Sequence, residues 1–135
     1  MAWEPTAHGR QNTDILKANE VKYYNVPQPP TNSIFVSFSH WVFNITKIGR
    51  VVTITTNFTA HMKAVPLTAD SDAELLILPK EYRPYALYKI FTYVTQDGFM
   101  TLVNIGGDGR IGIHNMAKEI NGWLCRWTVT YIAGE

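Results

Sequence analysis

RVVTITTNFTA, residues 50–60, decides the class of fold. Val52, Ile54, Phe58 and Ala60 fall on one face of this stretch, and Thr53, Thr55, Asn57 and Thr59 fall on the other. A two-residue apolar period is that of a half-buried β-strand, because successive side chains point to opposite sides of the pleat. The β-branched residues that fill it suit a pleated surface.

Working outward from this stretch, the same type of segment recurs. Upstream, residues 34–45 are rich in Phe, Val, Trp and Ile, and Thr46-Lys47-Ile48-Gly49 reads as a turn. Downstream, residues 74–78 form a short apolar strand. Pro79 and Pro84 then bracket Lys80, Glu81, Tyr82 and Arg83, which keeps that segment out of a sheet interior. Residues 86–95 and 99–105 make a hairpin about Gln96-Asp97-Gly98. Gly106-Gly107-Asp108-Gly109 is a second turn, since Asp-Gly tolerates positive φ. Residues 110–114 form the next strand, and 115–119 a loop. In the last strand Trp123, Cys125, Trp127, Val129 and Tyr131 share one face, and Arg126, Thr128 and Thr130 share the other. About seven strands with regularly spaced turns, and no convincing helix of ten residues, predict an all-β antiparallel β-sandwich or jelly-roll-like head domain over residues 34–135. Residues 1–33, with Pro5, Pro27, Pro29 and Pro30, read as an extended N-terminal arm or neck. Within it, residues 12–21 carry capping residues for a short helical turn, Thr13 or Asp14.

Composition narrows the function. The 135-residue chain fits one domain, and its 46% hydrophobic and 17% charged residues are the balance of a folded globule. Twelve basic and eleven acidic residues give a formal charge of +1, scattered without a basic stripe. That argues against nucleic acid as a partner, because phosphate neutralisation drives such binding. No apolar run approaches the ~20 residues needed to span a bilayer, so membrane insertion is not expected. Residues 1–10 lack the apolar core of a signal peptide. Cys125 is the only cysteine, which excludes an internal disulfide and a thiolate metal cluster. It reads as a small buried hydrophobe.

Catalytic signatures are missing. His8, His40, His61 and His114 have no ligand spacing, so no metal or cofactor is expected. Asp70, Asp72, Glu74, Glu81, Asp97, Asp108 and Glu119 are the carboxylates from which a glycosidase pair would have to come, and most lie at turns. There is no Gly-x-Ser-x-Gly elbow, and the 106–109 glycines lack the Lys and Ser/Thr of a phosphate loop. A ligand site near the predicted loops would set rings beside polar groups. The candidates near predicted loops are Tyr85, Tyr93, Asp97, Arg110, His114, Asn115 and Trp123. The competing reading places Tyr93 and Trp123 in the core or a subunit interface, and Trp41 and Trp127 in the core.

The order of motifs resembles a known family. Trp41-Val42-Phe43 is followed by Lys47 to Ile54, then Leu78-Pro79-Lys80-Glu81-Tyr82-Arg83-Pro84, the Gly107-Asp108-Gly109-Arg110-Ile111 hairpin, and Gly122-Trp123 before Thr128-Val129-Thr130-Tyr131. Over about residues 39–135 this is similar to the C-terminal head domains of bacteriophage tail and baseplate receptor-binding proteins from phages of Gram-positive hosts. The Leu-Pro-x-x-Tyr-Arg-Pro element is the most specific part, and its own physics is structural: the prolines stiffen a crossing, and Tyr82 can close one end of the core. The resemblance implies a homotrimeric head in the virion, at a tail tip or baseplate beside other tail proteins. It implies adhesion to bacterial cell-wall polysaccharide or teichoic acid without cleavage, which would make the rings and polar groups named above saccharide contacts, since sugars present apolar C–H faces and hydroxyls. The alternatives are a tail glycan depolymerase, a purely structural tail component, or a trimeric recognition module of the tumour-necrosis-factor-like kind. The apolar residues Phe35, Phe43 and Ile45 opposite Ile34, Val36 and Phe38 also predict a second buried face, hence an oligomer.

Overall fold

The computed structural model describes residues 20–65, 72–93, 100–114 and 120–134. Among them the chain forms eleven strands: β1 (Val21–Asn25), β2 (Phe35–Ser39), β3 (Phe43–Ile48), β4 (Val51–Thr56), β5 (Phe58–Val65), β6 (Asp72–Ile77), β7 (Tyr88–Tyr93), β8 (Met100–Ile105), β9 (Arg110–His114), β10 (Ile120–Cys125) and β11 (Thr128–Ile132). They build three antiparallel sheets, ordered β1-β3-β4-β11, β10-β5-β2 and β6-β9-β8-β7. The expected all-β, antiparallel, sandwich-like class is the observed one. Buried side chains from all three sheets join in one core, with Phe35, Phe43, Ile54, Phe58, Ile113 and Trp123 among its members. Burying each such side chain contributes about 1.5–3 kcal/mol.

The stretch that decides the class does more than form one strand. Val52, Ile54, Thr56, Phe58, Ala60 and Met62 are all buried, so the alternation runs on unbroken. Yet the chain changes sheets at Asn57: β4 pairs with β3 and β11, and β5 pairs with β10 and β2. The final segment changes sheets alongside it. Trp123 and Cys125 on β10 and Tyr131 on β11 face the core, and Trp127 between the two strands is buried too. The stretches read as two long strands are therefore four. A period of two is preserved across such a corner, so it carries no mark of the crossing.

Thr56 fastens the corner from inside the core. Its hydroxyl donates to the Trp127 carbonyl at 3.3 Å and accepts from the Trp127 N–H at 3.2 Å. It also accepts from Cys125 Sγ at 3.4 Å. One donor and two lone pairs are thus all used, which is what a buried hydroxyl requires. At the same level Asn57 and Val42 exchange backbone bonds of 2.9 and 3.1 Å.

Two other expectations change. The stretch assigned to the lead-in arm supplies β1, which pairs with β3 from Val21↔Ile48 to Asn25↔Asn44. As an edge strand with four of five residues exposed, it has no apolar alternation to reveal it. Residues 34–45 are likewise not one strand with two apolar faces. His40, at φ 57°, breaks them into β2 and β3 in different sheets. Ile34 and Phe38 pack on the same core as Phe35, Phe43 and Ile45, leaving Val36 exposed. The second apolar face expected there does not exist. The helical turn expected over residues 12–21 lies, except for its last two residues, outside the described residues.

The Leu78–Pro84 element closes one end of the core. Pro79 leads into a 3-10 turn, Lys80–Tyr82, and Tyr82 is buried. Its carbonyl accepts the Tyr131 hydroxyl, and the Glu81 carbonyl accepts Lys47 Nζ at 2.7 Å. Lys22 reaches the Glu81 carboxylate at 2.9 Å, tying β1 to the same turn. The element is structural, as its prolines suggest.

Candidate functional site

The outer face of the third sheet holds a groove of about 430 Å³. Register explains why it forms there. Glu74 on β6, Gly112 on β9, Asn104 on β8 and Lys89 on β7 stand side by side in one row. Gly112 places no side chain in that row, so a trough opens between Glu74 and Asn104. A Cβ at Gly112 would sit 2.9 Å from the Ala73 carbonyl, so the tight β6–β9 pairing admits no larger residue without a shift. Leu87 gives the groove an apolar wall.

Arg110 stands at one end, on the residue pair next to Gly112. Its Nε lies 3.4 Å from Glu74 Oε1 and 3.5 Å from Asp108 Oδ2. Asp108 also accepts the Arg110 backbone N–H at 3.1 Å, which fixes the turn. All three side chains are at least half exposed. Such pairs contribute under about 1 kcal/mol, so a ligand's hydroxyls or charges can replace them at small cost.

The Gly106–Gly109 turn separates this groove from a second cleft of about 230 Å³, lined by Lys80, Arg83, Pro84, Tyr85, Gly107 and Gly134. The turn needs its last glycine. Gly109 has φ 89°, and a Cβ there would meet the Leu78 carbonyl at 2.7 Å. Tyr85 is 80% exposed, an aromatic ring set on the surface beside two cations.

Of the candidate residues read from sequence, Arg110 and Tyr85 flank this turn, one in each cleft. Tyr93 ends β7 opposite Met100, and His114 ends β9 opposite Asp72 and Leu102; only their backbone is described. Asp97 and Asn115 lie outside the described residues. Trp123 is corrected to the core. It is 0% exposed and packs edge-on against Phe58, so its indole offers no face to a surface ligand. Glu74, Leu87, Asn104 and Gly112 were not singled out as ligand contacts, because only strand register sets them side by side. Asp108 was read as a turn residue, and it is both.

One pair elsewhere has a catalytic look: Ser39 Oγ and His61 Nε2 are 2.7 Å apart on β2 and β5. It is exposed and lines neither of the two clefts described above.

No family model and no curated protein matches the chain. Among solved structures, it is similar to the crystal structure of the receptor binding protein (gp15) of Listeria phage PSA. The TM-score is 0.50 at 13% identity, over 93% of this chain and 74% of that one. The likeness is one of fold.

Proposed function

We propose that this chain is a phage receptor-binding head that attaches to a bacterial cell-surface saccharide without cleaving it. The carrying observation is the pair of clefts on either side of the Gly106–Gly109 turn. They set Arg110, Glu74, Asp108 and Asn104 beside Leu87 and Tyr85. A sugar chain laid across the turn would exchange hydroxyl hydrogen bonds with the first group and pack C–H faces on the second. The fold shared with a receptor binding protein of a Listeria phage supports the reading, and so does the order of motifs in the sequence. It implies a place in the virion, at the tail tip or baseplate.

The test is binding of labelled protein to a panel of Gram-positive and Gram-negative cells, with purified wall polysaccharide as competitor. Strain-selective binding abolished by polysaccharide is expected. Arg110→Ala removes charged hydrogen bonds worth about 1.5–3 kcal/mol, so binding should weaken by about tenfold or more. Absence of binding to every strain by folded protein overturns the proposal. Because Glu74 and Asp108 share the groove, reducing-sugar release is measured in parallel, and its appearance would favour a depolymerase.

A further inference from the structure

The outer face of the second sheet carries a cluster of hydroxyls about one imidazole. Inward, β2, β5 and β10 give Phe35, Phe58, Ala60, Met62, Trp123 and Cys125 to the core, with Phe38 packed against it. Alternation turns Ser37 and Ser39 on β2, Thr59 and His61 on β5, and Gly122 and Leu124 on β10 to the other face. Register sets them in two rows, Ser37–His61–Gly122 and Ser39–Thr59–Leu124. His61 reaches diagonally between the rows, and its Nε2 stands 2.7 Å from Ser39 Oγ.

Both partner strands lose regular register beside His61: β2 between Phe35 and Ser37, and β10 between Ile120 and Gly122. Such irregularities re-aim side chains and are over-represented beside active sites. Gly122 is the neighbour on the β10 side. Among the described residues, a Cβ there would meet nothing nearer than the Ala60 carbonyl at 3.9 Å, so crowding does not demand a glycine. Its missing side chain leaves one flank of the imidazole open, beside the half-buried Leu124.

A serine hydroxyl alone is a weak nucleophile. Within hydrogen-bond reach of a neutral imidazole it is activated, because the ring takes its proton as the oxygen attacks. With its ring proton on Nδ1, His61 offers Nε2 to the Ser39 O–H. Thr59 lies directly across from Ser39, and Ser37 directly across from His61. They put two more hydroxyl donors on the same face, suited to charge developing on a carbonyl oxygen. A gap left by one side chain suits a short acyl group.

We propose that Ser39 and His61 hydrolyse esters of acetyl-sized acyl groups on an alcohol. Ser39 Oγ bonds to the acyl carbon as His61 takes its proton. The bond from that carbon to the alcohol oxygen breaks, and His61 returns the proton to the departing oxygen. Water then gives a proton to His61 and its oxygen to the acyl carbon, the bond to Ser39 breaks, and Ser39 recovers the proton. Ester and water become acid and alcohol. Glycosidic bonds stay intact, so the activity stands beside the adhesion reading and does not rest on it.

The experiment treats the full chain with p-nitrophenyl acetate and, separately, with an alkyl fluorophosphonate, which labels a serine by the same attack. The parent should release p-nitrophenol and carry the phosphonyl group on Ser39 in peptide mass spectrometry. His61→Ala should slow labelling by about 100-fold or more, the contribution of a positioned base. Ser39→Ala should abolish the label and most of the ester hydrolysis. Both side chains lie on the outer face, so circular dichroism of each variant should match the parent. A folded parent that takes no label on Ser39 overturns the proposal. Labelling equally fast in His61→Ala overturns it too, as does ester hydrolysis unchanged in Ser39→Ala, which a lone surface imidazole would produce.

Discussion

Removing the Thr56 hydroxyl tests whether the sheet-to-sheet corner is held as described. Thr56 is 3% exposed, and Thr56→Val keeps its shape, so the substitution opens no cavity. The Trp127 carbonyl keeps its bond from the Thr56 N–H at 2.9 Å. The buried Trp127 N–H, however, loses the acceptor it now has at 3.2 Å. Leaving a buried donor unsatisfied costs about 1–3 kcal/mol, and about 2 is expected here. Thr56→Ser is the matched control: it retains the hydroxyl and deletes one methyl, for about 1 kcal/mol. At roughly 4 °C per kcal/mol for a domain of this size, the two variants should melt about 8 and 4 °C below the parent. Urea unfolding followed by circular dichroism, at fixed protein concentration, gives the free energies if the slope is unchanged. A valine variant as stable as the parent, or more stable than the serine variant, would refute the hydroxyl as the clasp of the corner.

Three further outcomes are expected. Gly109→Ala should destabilise the protein by at least about 1–2 kcal/mol in urea, because φ 89° is a left-handed conformation and the new Cβ would press on the Leu78 carbonyl; an unchanged midpoint would contradict this. Burial pushes the Cys125 thiol well above its usual range, so a thiol reagent at pH 8 should label it only as fast as the protein unfolds. Immediate stoichiometric labelling of native protein would count against the buried placement. Burial likewise raises Tyr131, so the fold holds both protons more tightly than the unfolded chain does. That stability is complete below the unfolded values, about 8.5 for Cys and about 10 for Tyr, and declines as pH rises past them. Urea midpoints should therefore be flat to about pH 8 and fall toward pH 11, with Cys125→Ser removing the first part of the fall.

The alternation in residues 50–60 and the Asp-Gly turn at 108–109 carried the β class, because both signals are local: a pleat sets the first and positive φ the second. Trp41 and Trp127 were legible as core for the same reason. The strand count was low, since β4 and β5 keep one alternation through the corner at Asn57, as do β10 and β11 at Trp127. Edge strand β1 was invisible because its exposed residues have no core to alternate toward. In the groove Arg110 was named for its place beside a turn. Its neighbours Glu74, Asn104 and Gly112 come from three strands and share a row only by register.

Local chemistry, then, was enough to establish an all-β chain, its Asp-Gly turn at 108–109 and its structural Leu-Pro-x-x-Tyr-Arg-Pro closure, whereas Thr46, Lys47 and Ile48, read as a turn, continue β3. Tertiary pairing was needed to put Trp123 in the core and to open the groove above Gly112. The reason is that periodicity reports which side of its own strand a residue takes. Which residues stand beside it is set by hydrogen-bond register between segments as far apart as Val52 and Tyr131, and no period within one segment encodes that.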